Sequence, residues 1–130
     1  MRYVYQAILY PDDGAVGVTV PDLPGCHTFG KDKAEALLMA KDAIEMWLWY
    51  AEDNGQPIPP ASESIVIESE QTATLIVADT DAYRRANDNR AVKKTLTIPA
   101  WLNAEAEKAH VNFSGLLQSA LKEHLGIESK

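Results

Sequence analysis

The sequence predicts an α+β protein with two folded parts joined by a linker. Within residues 1–78, aromatic and β-branched runs predict strands before and after a single amphipathic helix. A new strand pattern followed by two helical patterns fills residues 91–130. The polar stretch between them, residues 79–90, predicts a linker with about one helical turn. We therefore expect a β-β-β-α-β domain followed by a β-α-α unit.

Three strands and two chain reversals are predicted ahead of the first helix. YVYQAILY (3–10) is rich in aromatic and β-branched residues, and AVGVTV (15–20) predicts the strand that returns beside it. PDDG (11–14) predicts the turn between them, because Pro presets φ, Asp side chains cap amides and Gly accepts positive φ. PDLPGC (21–26) forces a second reversal, and CHTFG (26–30) predicts a brief third strand.

The helix of the first domain has clear start and stop signals. Asp32 followed by Glu35 is typical of a helix N-terminus, and Gly55 with the prolines after it ends the helix. One helical face carries an apolar stripe of Leu37, Ala40, Ile44, Trp47, Leu48 and Ala51. ATLIVA (73–78) predicts a buried fourth strand, whereas residues 62–71 favour no element.

Charge and cysteine content narrow the function classes. Residues 1–89 hold six Lys and Arg against 15 Asp and Glu, a net charge of −9, whereas residues 90–130 carry +2. An acidic front and a mildly basic tail favour two partners of opposite charge. No apolar run is long enough to span a bilayer, and no secretory signal is expected. The single cysteine cannot form an internal disulfide, which favours a reducing cytoplasm.

The C-terminal unit begins with a strand that lacks a partner in its own segment. KKTLTI (93–98) alternates, with Leu96 and Ile98 on one face and Lys93, Thr95 and Thr97 on the other. Pro99 suits the first position of a helix, and Asn112 can cap a second helix. About 40 residues are too few for an independent core, so we expect two copies to pair their strands antiparallel as a homodimer.

Such a dimer would present a two-stranded polar ribbon that fits the major groove of DNA. Lys93, Thr95 and Thr97 would face the bases, and the helix N-terminus at Asn112 and Ser114 would bind a phosphate. This arrangement, over residues 92–125, resembles the ribbon-helix-helix regulators of the Arc and MetJ class. The break between the helices often carries Gly in that class and carries His110 here. The alternative is that residues 93–98 form an edge strand paired to the N-terminal sheet.

The N-terminal domain carries a specific motif around its second reversal. Pro21-Asp22-Leu23-Pro24-Gly25-Cys26 is followed by Thr28 and Gly30, and Glu35-Ala36-Leu37 opens the helix. This pattern resembles the N-terminal domain of HicB antitoxins, and the resemblance covers residues 1 to about 78. It implies a type II antitoxin that binds and neutralises a HicA-type, mRNA-cleaving toxin. It also implies repression of its own operon by the C-terminal dimer bound to operator DNA, and a tetramer is left open.

The residues expected to contact the toxin fall into two sets. Asp12, Asp13 and Asp22 can form salt bridges with a basic partner, although Asp is also normal in turns. The helix carries Met39, Asp42, Met46, Trp49 and Asp53 opposite its apolar stripe. Met and Trp are unusual on a solvated face, so we expect Met46 and Trp49 to contact the toxin. The alternative is that this face packs on a neighbouring subunit or under the linker.

Catalysis and cofactor binding are not expected. Cys26 and His27 are adjacent in a strand and point to opposite faces, so they do not form a nucleophile and base pair. The three histidines are too scattered for a metal site, and no glycine-rich phosphate loop is present. Two alternatives remain: a ligand-responsive ribbon-helix-helix repressor, and a small hydrolase built around Cys26.

Overall fold

The computed structural model describes residues 1–127. The chain divides into two compact units, one ending at Arg90 and the next beginning at Ala91. The first unit contains four strands and two helices, and the second contains two helices. An α+β architecture is therefore confirmed.

The four strands form one antiparallel sheet in the order β3-β2-β1-β4. The strands are β1 (Arg2–Asp12), β2 (Ala15–Thr19), β3 (His27–Gly30) and β4 (Thr72–Asp79). The long central strand pairs with β2 at one end and with β4 along most of its length. All four predicted strands of this unit are present, within two residues of the expected bounds. The β1–β2 turn is tighter than expected.

The β1–β2 hairpin turns on two residues. β1 continues to Asp12, which is paired with Ala15, so the loop consists of Asp13 and Gly14. Both have positive φ, 48° and 85°, as a type I′ turn requires. The Asp-Gly dipeptide suits this turn because its backbone twist matches that of the paired strands.

Helix α1 (Lys33–Asp53) packs across one face of the sheet. Asp32 caps its N-terminus, since the Asp32 side chain accepts a hydrogen bond from the Glu35 amide at 2.8 Å. Its buried stripe contains Ala36, Ala40, Ile44, Leu48 and Ala51. The strands contribute Tyr5, Ala7, Leu9, Val18, Ile76 and Ala78 to the same core, and Val20 joins them just after β2. The small residues on α1 let the helix lie close to the strands.

Helix and sheet approach each other closely at Gly30, the last residue of β3. A Cβ atom at this position would clash with the backbone nitrogen of Ala36 and lie 2.8 Å from its Cα. Ala36 is fully buried. Glycine is therefore required here by the backbone of α1 and not by an unusual φ.

A second helix, α2 (Thr80–Asn87), occupies the stretch where the sequence predicted a linker. Asp79 caps it, with its carboxylate accepting from the amides of Asp81 and Ala82. Only Thr80 of this helix is buried. Where the sequence predicted a linker with about one helical turn, polar contacts hold a short helix against α1.

The contacts between α2 and α1 centre on two carboxylates near the end of α1. Glu52 accepts hydrogen bonds from the Tyr3 hydroxyl at 2.8 Å and the Thr80 hydroxyl at 3.0 Å. Arg84 donates to Glu52 at 3.1 Å and to Asp53 at 2.6 Å. Burial, with the neighbouring Glu52, raises the pKa of Tyr3 to about 12. This network joins the first strand, α1 and α2.

The second unit contains helices α3 (Ala100–Lys108) and α4 (Phe113–Leu125). Both predicted helices are present, and Asn112 caps α4 by accepting from the Gly115 amide at 3.1 Å. His110 occupies the break between them with a positive φ of 55°, the left-handed conformation for which Gly is favoured. Residues 91–99 carry no secondary structure. The expected strand at 93–98 stays a prediction, because a strand needs a ladder partner and a single chain offers none here.

We predict that Gly30→Ala lowers the free energy of unfolding of the first unit by about 1–3 kcal/mol, as overpacking does in rigid cores. Urea unfolding followed by circular dichroism measures this. Gly17→Ala is the matched control, because the added Cβ would meet the Tyr10 ring, which can rotate away. Equal losses for the two variants would contradict the role given to the α1 backbone.

We also predict that Arg84→Ala releases α2 from α1 without unfolding the sheet, because it removes both ion pairs to Glu52 and Asp53. Hydrogen exchange of the amides at residues 82–87 should accelerate at least about tenfold, while the β1 amides keep their protection. Arg85→Ala is the control, since Arg85 bonds only to the Asp81 carbonyl of its own helix. Similar exchange in both variants would argue against the ion pairs.

Candidate partner-binding surfaces

Helix α1 presents two flanks beside its buried stripe, and they differ in what covers them. One flank carries Glu45, Trp49 and Glu52 and is covered by β4 and α2. The Glu45 carboxylate is buried there and accepts from the Asp79 amide and from Lys41, both at 2.7 Å. The other flank carries Met39, Met46 and Tyr50, and these side chains remain exposed.

The structure separates Met46 from Trp49, which the sequence placed on one face. The Trp49 ring packs edge-on against Tyr83 of α2 at 5.6 Å, and Arg84 lies over it at 5.7 Å. Trp49 therefore packs under the following segment, which is one of the two alternatives that the sequence left open for this face. Two residues three positions apart on an α-helix are offset by about 60° around its axis, roughly one sixth of a turn, which is enough to place them on different flanks.

The exposed flank of α1 lines an open groove of about 660 Å³. We call it the α1 groove; its walls are Met39, Asp42, Met46 and Tyr50 of α1 and, opposite them, residues 24–28. The Trp47 indole donates to the Pro24 carbonyl at 3.0 Å and so joins the two walls at the base. The groove thus combines exposed methionines, an aromatic ring and one carboxylate.

The three candidate aspartates lie at two places in the first unit. Asp12 and Asp13 are exposed at the β1–β2 turn, where Asp13 has the positive φ. The half-buried Asp22 accepts hydrogen bonds from the Ser62 amide at 2.8 Å and the Ser62 hydroxyl at 2.7 Å. Asp22 therefore already anchors the loop after α1. Asp12 and Asp13 are therefore more accessible to a basic partner than Asp22, whose carboxylate is engaged by Ser62.

Cys26 and His27 are not arranged for catalysis. Cys26 is buried, and burial raises the pKa of its thiol to about 11, so the thiolate is scarce near neutral pH. His27 is exposed, and its Nδ1 lies 3.2 Å from the Thr19 hydroxyl. A buried, protonated thiol beside an outward imidazole does not make a nucleophile and base pair.

The candidate DNA-binding residues of the second unit are exposed. Lys93, Thr95, Thr97, Asn112 and Ser114 all face solvent, although the Asn112 side chain serves as the cap of α4. Beside them lies a second groove, of about 530 Å³, lined chiefly by Leu96, Ile98, Phe113, Leu116 and Leu117. Neither α3 nor α4 contains a buried residue. Both helices keep apolar faces that this unit does not cover.

The sequence did not reveal the α1 groove as a site. Met39 and Tyr50 were identifiable as outward residues at helical spacing, since positions 39, 43, 46 and 50 follow one flank. The opposite wall could not be identified from the sequence, because the Trp47–Pro24 contact joins residues 23 positions apart and leaves no local pattern.

The chain matches a family model described as the HicB_like antitoxin of bacterial toxin-antitoxin systems, over residues 5–121. An uncharacterised 14.9 kDa protein of Haemophilus phage HP1 is 32% identical over 104 residues, covering 73% of this chain and 76% of the phage protein. A UPF0150 protein of Thermoplasma acidophilum is 43% identical over 56 residues, covering 42% of this chain and 81% of that protein.

Solved structures share the fold. A chain of a toxin-antitoxin complex from Streptococcus pneumoniae superposes with a TM-score of 0.59 at 24% identity, covering 95% of this chain and 99% of that one. The antitoxin HicB of Burkholderia pseudomallei gives a TM-score of 0.52 at 23% identity, covering 97% and 98%. No helix within residues 1–127 is long and apolar enough to cross a membrane. From the family match across most of its length, this chain belongs to the HicB-like antitoxins of bacterial toxin-antitoxin systems, which are non-enzymatic regulatory proteins.

Proposed function

We propose that this antitoxin neutralises a HicA-type, mRNA-cleaving toxin through its N-terminal unit and represses its own operon through a dimer of residues 91–130. The family membership carries the first half of the proposal. The second half depends on the uncovered apolar face of the second unit.

Charge supports a basic toxin as the partner of the first unit. Residues 1–89 carry a net charge of −9, and a protein that binds and cleaves RNA needs a basic surface to hold phosphates. An acidic partner would compete with RNA for that surface and would associate quickly. Asp12 and Asp13 are exposed at the β1–β2 turn, and Asp22 and Met46 are further proposed contacts elsewhere on the first unit. Trp49, half-buried under α2, would contribute through the position of that helix.

Dimerisation of the second unit follows from its lack of a core. Leu96, Ile98, Phe113, Leu116 and Leu121 are each between 45% and 62% exposed. Covering these side chains with a second copy would remove apolar surface from water, and pairing the two 93–98 segments would satisfy their backbone groups. Lys93, Thr95 and Thr97 would then form the DNA-reading ribbon, with Asn112 and Ser114 at the phosphates.

The toxin half is tested by expressing the chain together with its native flanking genes and identifying what co-purifies. We expect a small basic protein in stoichiometric amount, which arrests growth when it is expressed without this chain. If only operator DNA were retained, the first unit would instead sense a small ligand, and the antitoxin mechanism proposed here would be wrong.

The operator half is tested with the double variant Lys93→Ala/Thr95→Ala. We expect specific operator affinity to fall at least about tenfold, because each good base contact contributes roughly 1–3 kcal/mol of discrimination. Gel-shift titration measures the affinity, and light scattering confirms that the dimer persists. Lys122→Ala is the matched control, since it removes one exposed positive charge from α4 outside the ribbon. Unchanged operator affinity in the double variant would exclude residues 93–97 as the reader.

A further inference from the structure

We infer that the α1 groove is the place where the first unit binds the toxin, by taking an apolar side chain that is flanked by lysine or arginine on the toxin surface. This inference rests on the proposed function. It assigns to the interface residues Met39, Asp42 and Tyr50, together with the wall formed by residues 24–28.

The apolar character of the groove points to a protein partner. Met39 is 40% exposed, Met46 53% and Tyr50 61%, and all three lie on one flank of the same helix. Interface cores are enriched in methionine and tyrosine, and flexible Met side chains adapt to the shape of an inserted group. A volume of about 660 Å³ lies within the roughly 300–1,000 Å³ that binding pockets span.

The groove is preformed, because its second wall is held by the core. The Val20 amide donates to the Cys26 carbonyl at 3.0 Å, and the Cys26 amide donates to the Leu23 carbonyl at 3.1 Å. Leu23 and Cys26 are both buried, and the Trp47 indole fixes Pro24. The wall therefore does not need to be ordered by the partner, which reduces the entropic cost of binding.

Charge identifies the basic toxin, and not a second copy of this chain, as the occupant. The residues that line the groove include the Asp42 carboxylate, which also interacts with Tyr83 of α2, the His27 imidazole, and no lysine or arginine. Two cations of α1 and α2 are engaged elsewhere: Lys41 pairs with Glu45, and Arg84 pairs with Glu52 and Asp53. A second acidic unit would place like charge against Asp42, whereas a lysine or arginine would pair with it.

The decisive variant is Met46→Arg in the full chain, measured against the small basic toxin recovered by co-purification. The arginine side chain would fill the groove and place its positive charge beside the positive charge of the toxin. We expect toxin affinity to fall at least about tenfold, as for a residue at the centre of an interface. Leu38→Arg is the matched control, because it adds the same charge to α1. Leu38 is 70% exposed and does not line the groove. Its toxin affinity should stay within about twofold of the wild type.

Two further measurements separate the possible failures. Operator affinity of Met46→Arg should equal that of the wild type, because the second unit is unchanged, and its thermal unfolding should match that of Leu38→Arg. Tyr50→Ala, which removes an exposed ring and no charge, should weaken toxin binding even if Met46→Arg folds poorly. If the wild type bound no toxin, the proposed function itself would fail. If Tyr50→Ala and Met46→Arg bound the toxin as tightly as the wild type, the assignment of the α1 groove as the toxin site would be overturned. The same conclusion would follow if Leu38→Arg lost as much toxin affinity as Met46→Arg.

Discussion

The close packing of α1 on the sheet is the constraint on which the first unit depends. Gly30 lets the backbone of β3 meet the backbone of α1, and small residues at Ala36 and Ala40 continue the approach along the helix. Because this stripe is buried, the rotation of α1 about its axis is fixed. The rotation decides on which flank each of the remaining residues lies. Met46 and Trp49 are neighbours in sequence, yet one lines an open groove and the other lies beneath α2.

The two flanks are stabilised by different chemistry. On the covered flank, Glu45 and Glu52 accept hydrogen bonds from β4, Tyr3 and Thr80, so their carboxylates act as fixed acceptors inside the fold. On the open flank, sulfur and aromatic groups face solvent with Asp42. An acidic protein therefore uses some of its carboxylates to hold its own structure, and net charge alone does not tell which ones are available to a partner.

Local patterns in the sequence predicted most of this architecture. Aromatic, β-branched and apolar runs located the strands, the PDDG turn signal located the hairpin, and Asp32 with Glu35 located the start of α1. Only about one turn of helix α2 was predicted, because its sequence is polar and only Thr80 is buried. Arg84 holds the helix through partners more than 30 positions away. The α1 groove was missed for the same reason, since its wall at Pro24 is joined to α1 by a long-range contact. The segment at 93–98 differs in kind, because the strand predicted there would need a second chain as its ladder partner.

The first unit has its own core and the second does not. This difference has a consequence for how the two units respond to the number of protein copies in the cell. A domain with a complete core is folded at any concentration, whereas a dimer held by shared apolar surface dissociates on dilution. Under the proposed function, occupancy of the operator would decline with the square of the free chain concentration as copies per cell fall, while toxin capture would decline only in proportion. The gene would therefore resume transcription before its product ceased to protect the cell, and the threshold would be set by the apolar surface of α3 and α4.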